Sequence, residues 1–577
     1  MMLGNHKKFI KGVLKMSGLL IIGIAIAVLG GAYLIYGRWL ANKWGIDSKA
    51  KTPAYSREDG EDYIPTPKAV VFSHQFSSIA GAGPVTGPII AAMFGWLPVL
   101  LWILVGGIFF GAVHDFGALY ASVKNEGKSI GFIIEQYIGK TGRKLFLLFA
   151  WIFTLLVIAA FADIVATTFN GYTPKGALSS PNAAAASISM LYIVVAILFG
   201  LFIKYKKPSQ KLEAIIGIIL LLLMLVVGIS FPLYFSKPTW IIIVFIYLFL
   251  ASITPMWLLM QPRDYLSSFL LIGMIVGAVL GVIVARPTMN LAAFNGFNVG
   301  GKALFPTLFV TIACGAVSGF HSLVSSGTSS KQVQNEKDML GIGFGAMLIE
   351  SLLAVVALVA VGSLAVGGKI PAGTPFSLFA SAVAGFLSLL GIPKYVAVCI
   401  MTMCVSALAL TSLDSVARIG RMSFEEFFLD GSLDRSKLSP FKKLMTNKYF
   451  STVLTLFIGY LLSKGGYNNV WPLFGSANQL LSALVLIALS VFLKTTGRSG
   501  FMLWVPMCIM LTVTFTALTQ ALIKIGAKLF VTHNFVMMTD GLQLIFAILL
   551  VTLGVLVTIS CFRKLVSKEE NSEELSA

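Results

Sequence analysis

Long apolar runs recur along almost the whole chain, and they restrict its fold more than any other feature. Each run has about 20 residues, the length that an α-helix needs to cross the hydrocarbon core of a membrane. The pattern predicts an all-α polytopic membrane protein with about 15 transmembrane helices. The runs lie at 17–37, 68–94, 98–121, 144–168, 185–204, 212–235, 239–260, 264–285, 303–324, 340–363, 394–417, 449–465, 468–493, 501–522 and 536–562.

The composition supports this class. Hydrophobic residues make up 57% of the 577 residues, charged residues make up 12%, and the mean hydropathy is +0.89. Soluble proteins average roughly 25% charged residues, and barrel strands have only about ten alternating residues. The net charge of +19 comes mostly from loops between the runs, so we expect no nucleic-acid partner. A phosphate-binding loop of the GxxxxGKS or GxxxxGKT type is absent, which argues against ATP as the energy source.

One apolar run cannot form a continuous helix. Residues 71–90 read VFSHQFSSIAGAGPVTGPII and place three glycines and two prolines between Gly81 and Pro88. An interior glycine costs a helix about 1 kcal/mol relative to alanine, and a proline costs about 3. Lipid cannot satisfy the backbone groups that a break exposes, so the break must face protein or a watery cavity. The run predicts a discontinuous helix of the kind that forms transporter binding sites. A proline-kinked span is the alternative.

A second interruption lies at 251–265, ASITPMWLLMQPRDY, where Pro255 interrupts an apolar run and Pro262 ends it. Two broken helices that are five spans apart and oppositely directed indicate a five-plus-five inverted repeat. The expected parts are an extra span with a cytoplasmic loop, the first repeat, the second repeat, a cytoplasmic loop, additional C-terminal spans and a charged tail. They occupy 1–67, 68–235, 239–417, 418–448, 449–562 and 563–577.

Basic loops predict the orientation in the membrane. Lysine and arginine cluster in 122–144, 204–211, 418–448 and 563–568, so these intervals are expected on the cytoplasmic side. The intervals 170–184, 286–302 and 364–393 fall on the opposite side. The protein is therefore expected to be a multi-pass protein of the cytoplasmic membrane with a cytoplasmic C-terminus. The side of the N-terminus stays open, because the odd number of runs and the basic N-terminal residues point in opposite directions.

Ionisable residues inside the apolar runs are candidate coupling residues, because charge is costly in lipid. Histidine titrates near neutral pH and suits proton coupling, whereas hydroxyl oxygens suit a hard cation such as Na⁺. The candidates for proton or cation coupling are His74, His114, Asp115, His321, Ser325, Ser326 and Thr328. A metal site formed by His74, His114 and His321 is a further alternative.

Other polar residues in the runs are expected to have structural roles. Glu350 and Asp414 are predicted to be satisfied contacts within the helix bundle or side chains that reach water at a span end. Arg421 is expected to anchor a cytoplasmic loop. Asn478 and Gln479 are expected to form hydrogen bonds between helices.

Five long motifs follow one another along the chain. They are FSHQFSSIAGAGPVTGP at 72–88, GAVHDF at 111–116, TPMWLLMQPRDYLSSF at 254–269, SGFHSLVSSGTSSKQ at 318–332 and WPLFGSANQLLSAL at 471–484. Through these motifs the sequence resembles the carbon starvation protein family (CstA), which includes peptide and pyruvate transporters. The family is placed among the amino acid–polyamine–cation type secondary transporters. It often has two adjacent histidines where this chain has His74 and Gln75.

The resemblance implies a secondary active transporter, associated with the carbon starvation response, that imports pyruvate or short peptides with H⁺ or Na⁺. No enzymatic activity and no cofactor are expected. The partners are the small-molecule substrate and the lipid bilayer, and the oligomeric state stays open. A channel and a membrane-embedded metalloprotein are the alternatives. The two breaks predict a substrate site lined by His74, Gln75, Ser78, Gly81, Gly83, Pro84, Thr254, Pro255 and Trp257.

Overall fold

The computed structural model describes residues 16–60, 62–173, 175–429, 438–498 and 500–566, and helices dominate these residues. Within them, the β-structure forms one antiparallel hairpin of β1 (Asn298–Val299) and β2 (Lys302–Ala303) together with isolated bridges. The helices are α1 (Gly18–Trp44), α2 (Pro53–Ser56), α3 (Lys68–Ile79), α4 (Gly83–Ala91), α5 (Trp96–Lys124), α6 (Ile130–Tyr137), α7 (Lys140–Phe169), α8 (Ser180–Lys206), α9 (Gln210–Ser230), α10 (Lys237–Ile253), α11 (Met260–Ala285), α12 (Leu304–Thr311), α13 (Gly319–Gly327), α14 (Glu336–Leu364), α15 (Pro375–Ser388), α16 (Lys394–Phe428), α17 (Pro440–Met445), α18 (Lys448–Ser463), α19 (Tyr467–Thr495), α20 (Phe501–Phe530) and α21 (Leu542–Val566).

Eleven helices of the described chain are long and apolar enough to cross a membrane, and the bent pair α3–α4 makes a twelfth. Three further apolar helices, α10, α15 and α18, are shorter. The predicted class of an all-helical membrane protein is confirmed, while length and composition alone support eleven or twelve of the fifteen expected spans.

The first predicted break is present. Helix α3 ends at Ile79, Ala80 leaves the helical region with ψ of 66°, and α4 begins at Gly83. The two halves meet at an angle of 40°. Pro84 lies in the first turn of α4, where its missing N–H would have no intrahelical partner in any case. The cluster of glycines and prolines therefore ends one helix and starts the next.

The second predicted break separates two helices. Helix α10 ends at Ile253, Thr254 is extended, and α11 starts at Met260. The interruption near Pro255 is confirmed, but 239–260 is not one span that continues beyond a break. Pro262 was expected to end the run, and it lies instead in the first turn of α11, where proline is tolerated.

A further interruption lies where the sequence predicts a continuous span at 303–324. Helices α12 and α13 are separated by residues 312–318, and Ser318 is extended with φ −137° and ψ 126°. The side-chain oxygen of Asn478 in α19 accepts hydrogen bonds from the Phe320 amide and the Ser318 hydroxyl. Gln479 donates to the carbonyl of Phe309 in α12. The predicted interhelical roles of Asn478 and Gln479 are confirmed, and these side chains stabilise the break.

Other segments differ from the expected loops. Helix α16 continues to Phe428, so Arg421 lies inside a helix, buried and bonded to Glu425, and not in a loop. Residues 430–437 of the predicted loop and 567–577 of the predicted tail lie outside the described residues. Helix α1 begins beside Pro287, where the Gly18 amide donates to the Pro287 carbonyl. Its start therefore lies at the same end of the bundle as the interval 286–302.

Candidate functional site

The first break and the 312–318 interruption meet inside the bundle. A Cβ atom on Gly83 would lie 2.3 Å from Cβ and 2.4 Å from Sγ of Cys314. A Cβ on Gly87 would lie 2.7 Å from the carbonyl oxygen of Thr311. Glycine is required at these positions because α4 packs directly against the 312–318 interruption and the end of α12.

His74 lies in α3, five residues before its end, and it is almost completely buried. Its Nδ1 is 2.7 Å from Oδ2 of Asp264 in α11, and its Nε2 is 2.9 Å from Oγ1 of Thr328 beside α13. An ionised carboxylate only accepts hydrogen bonds, so Nδ1 is the nitrogen that carries hydrogen toward Asp264. One imidazole thus connects three parts of the bundle.

Gln75 connects α3 to α13 and to the residues directly after α13. Its Nε2 donates to Oγ of Ser325 at 2.9 Å, and its Oε1 accepts from Oγ of Ser329 at 2.6 Å. Together with the contact between His74 and Thr328, these hydrogen bonds fasten α3 to α13. These hydrogen bonds are buried, so separating the two helices would leave several buried polar side chains without hydrogen-bond partners.

Ser78 meets α16 at the break. Ser412 donates to the Ser78 carbonyl at 2.9 Å, and the hydroxyls of Ser78 and Ser415 are 2.9 Å apart. The carbonyl belongs to the last turn of α3, where the helix supplies no partner. A Cβ on Gly81 would lie 2.6 Å from the Ser412 hydroxyl oxygen. Helix α16 therefore satisfies the backbone that the break exposes.

A buried charge cluster extends from His74 toward α10 and α16. The Arg263 guanidinium contacts Asp414 and the hydroxyl of Tyr247, and Tyr247 donates to Oδ2 of Asp414 at 2.5 Å. Oδ1 of Asp264 is 3.9 Å from Nη2 of Arg263. Two carboxylates, one guanidinium and one imidazole therefore lie together in the bundle.

The sequence analysis missed this cluster, apart from His74 and Asp414. Asp414 has the predicted bundle contacts through Oδ2, although its Oδ1 has no hydrogen-bond partner within the described residues. The signal for the missed residues was the adjacent pair Arg263 and Asp264 directly after Pro262. At the cytoplasmic end of the run that Pro255 interrupts, the pair is compatible with a gating ion pair, but the sequence does not show which side chains it meets.

A second buried cluster combines His114, Asp115, His321 and Glu350. The Nδ1 atoms of His114 and His321 lie 2.9 Å and 2.8 Å from the two oxygens of Asp115. Nε2 of His321 is 3.5 Å from Oε2 of Glu350. Glu350 was predicted to be a satisfied contact, but neither of its oxygens has a hydrogen-bond partner in the described chain.

The three histidines proposed for a metal do not converge. His74 is bonded to Asp264 and Thr328, while His114 and His321 share Asp115. Among the described residues, no group of three or more histidine, cysteine or acidic side chains is arranged to hold a metal ion.

Several predicted site residues lie apart from the first break. The Thr254 hydroxyl donates to the Leu250 carbonyl of its own helix, and Pro255 is exposed. The Trp257 ring lies 3.4 Å from Nζ of Lys204, at the end of α8. The Ser326 hydroxyl donates to the Ser322 carbonyl and accepts from the Ile130 amide. These contacts place the first three side chains near a helix end and turn Ser326 toward α6.

A cavity of about 420 Å³ opens at the end of the bundle formed by 170–184 and 364–393. It reaches Thr86 in α4 and Thr402 and Val405 in α16, so it approaches the first break from one side. At the other end, a cavity beside Thr328 and Ser415 has about 40 Å³. Access to the break is therefore asymmetric.

Charged residues form ion pairs at the end with the small cavity. Asp62 lies 3.7 Å from Nζ of Lys331 and 3.6 Å from Nη2 of Arg418. Lys331 follows α13 and Arg418 belongs to α16. One carboxylate thus connects the segment that follows α13 to α16.

Comparisons with known proteins agree with the resemblance in the motifs. The chain is 32% identical to the peptide transporter CstA of Escherichia coli over 610 residues, which covers 91% of this chain and 85% of that protein. It is 40% identical to the peptide transporter CstA of Campylobacter jejuni over 357 residues, covering 59% of this chain and 49% of the relative. It is 38% identical to the pyruvate/proton symporter BtsT of E. coli over 374 residues, covering 62% of this chain and 51% of the relative.

A manganese transporter from Eremococcus coleocola aligns in structure with a TM-score of 0.47 at 12% identity, covering 88% of this chain and 99% of that chain. The model of the family described as "Carbon starvation protein CstA" matches residues 17–371 and 368–517. With nearly the whole span from α1 to α20 matched, this chain belongs to the carbon starvation protein CstA family.

Proposed function

We propose that the protein is a secondary active transporter of the cytoplasmic membrane that imports pyruvate or short peptides with a coupled proton. The observation that carries the proposal is the buried His74, which joins Asp264 in α11 to Thr328 beside α13 at an interrupted helix. An intramembrane ionisable group beside unwound backbone is typical of ion-coupled transport. The names of the relatives, peptide transporters and a pyruvate/proton symporter, support the same substrates.

The substrate carboxylate is proposed to bind at the start of α4. Amide groups in the first turn of a helix lack intrahelical partners and attract anions. The cavity of about 420 Å³ reaches Thr86 in that helix, and ligand pockets typically measure about 300–1,000 Å³. Its position supports entry from the outer side, with Asp62, Lys331 and Arg418 closing the cytoplasmic side.

A proton suits this site better than Na⁺. The hydroxyls of Ser325 and Thr328 are bonded to Gln75 and His74, and that of Ser326 faces α6. The three hydroxyls therefore do not face one common space that a cation could fill. Histidine, in contrast, exchanges a proton near neutral pH.

We infer fifteen crossings and an inverted repeat with bounds other than 68–235 and 239–417. The eleven long helices, the pairs α3–α4 and α12–α13, and the shorter α10 and α18 sum to fifteen. The two halves have corresponding packed pairs. Helix α3 packs on α11 in the first half, and α13 packs on α19 in the second. Likewise, α6 packs on α7 in the first half, and α15 packs on α16 in the second. These pairs favour repeats at 68–285 and 304–495, with the hairpin α8–α9 inserted in the first.

Counterflow in liposomes tests the proposal. Liposomes that contain the protein and are preloaded with pyruvate, or with di- and tripeptides, should exchange it for labelled substrate. They should accumulate the labelled substrate when the outside is acidified. The His74→Gln variant should keep exchange but lose proton-driven accumulation, because glutamine forms hydrogen bonds without titrating. Conduction without saturation or accumulation would favour a channel. A His74→Gln protein that concentrates substrate with an unchanged pH profile would refute the role of His74.

A further inference from the structure

The cluster of His114, Asp115, His321 and Glu350 is separate from the site around His74. All four side chains have 0% exposure, and they come from α5, α13 and α14. Nε2 of both histidines and both oxygens of Glu350 lack hydrogen-bond partners among the described residues. Buried polar atoms are normally paired, and Nε2 of His321 lies 3.5 Å from Oε2 of Glu350, so this unpaired couple indicates an exchangeable occupant.

The hydrogen-bond pattern identifies that occupant as a proton. Asp115 offers one oxygen to each Nδ1, so both rings donate through Nδ1. Nε2 of His321 then faces Oε2 of Glu350 with a lone pair on each atom, unless one of them carries hydrogen. A neutral carboxyl beside neutral imidazole places less charge in this buried site than a carboxylate beside imidazolium, so the single proton is assigned to Glu350. Releasing it leaves two buried carboxylates on opposite sides of one imidazole ring.

Among the residues that the structure describes, no neighbouring lysine or arginine compensates for that release. The ionisable groups near Glu350 are His321 of α13, Asp115 of α5, which is also bonded to His114, and the thiol of Cys314. Helix α3 also packs on α14, but its Lys68 and His74 are paired with Asp338 and Asp264. In the described chain, α1, α4 and α15 bring no ion pair to the cluster. The proton therefore leaves only when water or a moving helix changes the surroundings.

Among the helices around the cluster, α13 is the one that directly follows the 312–318 interruption of a span. A π-helical turn, Gly107–Ala112, precedes His114, and another, Leu340–Gly345, precedes Glu350. Such turns are frequent at functional sites. A Cβ on Gly343 would lie 2.9 Å from the Cα of Phe116, so α5 and α14 are in close contact. Helix α13, in contrast, follows an interruption and is bonded to α3 through Gln75.

We propose that Glu350 and His321 form a second proton-binding site, which loads when α13 is seated against α5 and α14 and unloads when α13 moves away. Proton binding at this site does not depend on the proposed transport function, but its effect on the number of coupled protons rests on that function. Because His321 belongs to α13 and His74 contacts Thr328, the residue after it, one movement changes the surroundings of both. Substrate transport is then coupled to two protons and not to one.

Infrared difference spectroscopy of the purified protein tests occupancy without transport. Between about pH 5 and about pH 9, the wild type should show a protonated-carboxyl band that disappears with rising pH. Glu350→Gln should lack this band, and the control Glu213→Gln, at the half-exposed start of α9, should retain it. A wild type without a titrating carboxyl band, or a Glu350→Gln protein that retains it, would overturn the proposal.

The proton-to-substrate ratio tests the consequence. In reconstituted Glu350→Gln the ratio should fall to about half of the wild-type ratio, because one of two linked proton sites is silent. If the glutamine variant does not fold, Glu350→Met fills similar volume and answers the same question. An unchanged ratio would overturn the proposal. A wild type that accumulates neither pyruvate nor peptides but shows the Glu350 band would refute the proposed function and leave the proton site in place.

Discussion

Gly83→Ala should block transport because α4 touches the 312–318 interruption at this residue. The new Cβ would lie 2.3 Å from the Cys314 Cβ and 2.4 Å from its Sγ, where carbon atoms normally stay about 3.5–4.0 Å apart. The two breaks would have to separate by more than about 1 Å, and overpacking of this kind costs roughly 1–3 kcal/mol. If that cost falls on the closed arrangement of the breaks, its population drops by about 5- to 150-fold.

A second-site variant separates this cause from others. Cys314→Gly removes both offending atoms and leaves the Cys314 Cα 3.6 Å away, which is an ordinary contact. The double variant of Gly83→Ala and Cys314→Gly should therefore recover much of the lost counterflow. Gly273→Ala is the matched control, because nothing lies within 4 Å of the added Cβ, and its activity should equal that of the wild type.

Counterflow of labelled pyruvate in liposomes and thermal unfolding in detergent measure the two effects. Transport should fall in Gly83→Ala while most of the protein still folds. Normal transport by Gly83→Ala would refute the close contact between the breaks. Failure of Cys314→Gly to restore transport would place the cost elsewhere, for example at the substrate itself.

Two further changes test the buried network. Arg263→Met should lower the free energy of unfolding by about 3–5 kcal/mol, because it leaves Asp414 buried without its cationic partner. Adding Asp414→Leu should recover most of this loss. A loss of less than about 1 kcal/mol, measured by thermal unfolding, would contradict the pairing. Ser412→Ala should lower the free energy of unfolding by about 1–3 kcal/mol, because the Ser78 carbonyl at the first break loses the Ser412 hydroxyl as its donor and stays buried. Ser381→Ala, on the exposed face of α15, is the control and should unfold at the wild-type temperature.

Local chemistry was enough to predict the helical membrane class and the first break. Long apolar runs have few other stable forms in lipid, and the glycines and prolines from Gly81 to Pro88 disfavour helix wherever they lie. The same signal located the interruption at Pro255. It did not show whether the chain beyond continues one span or starts another helix, because a proline acts only on its own turn.

Partners distant in sequence decided the rest. The interruption at 312–318 contains no proline, and it is stabilised by Asn478, whose side chain arrives from α19. His74 was predicted to be a coupling residue, but its partner Asp264 is 190 positions away. The predicted group of three histidines divides between two clusters because α5 and α11 each bring their own aspartate. Apolar periodicity determines that a helix forms, whereas only the packing of helices in three dimensions determines which buried charges meet.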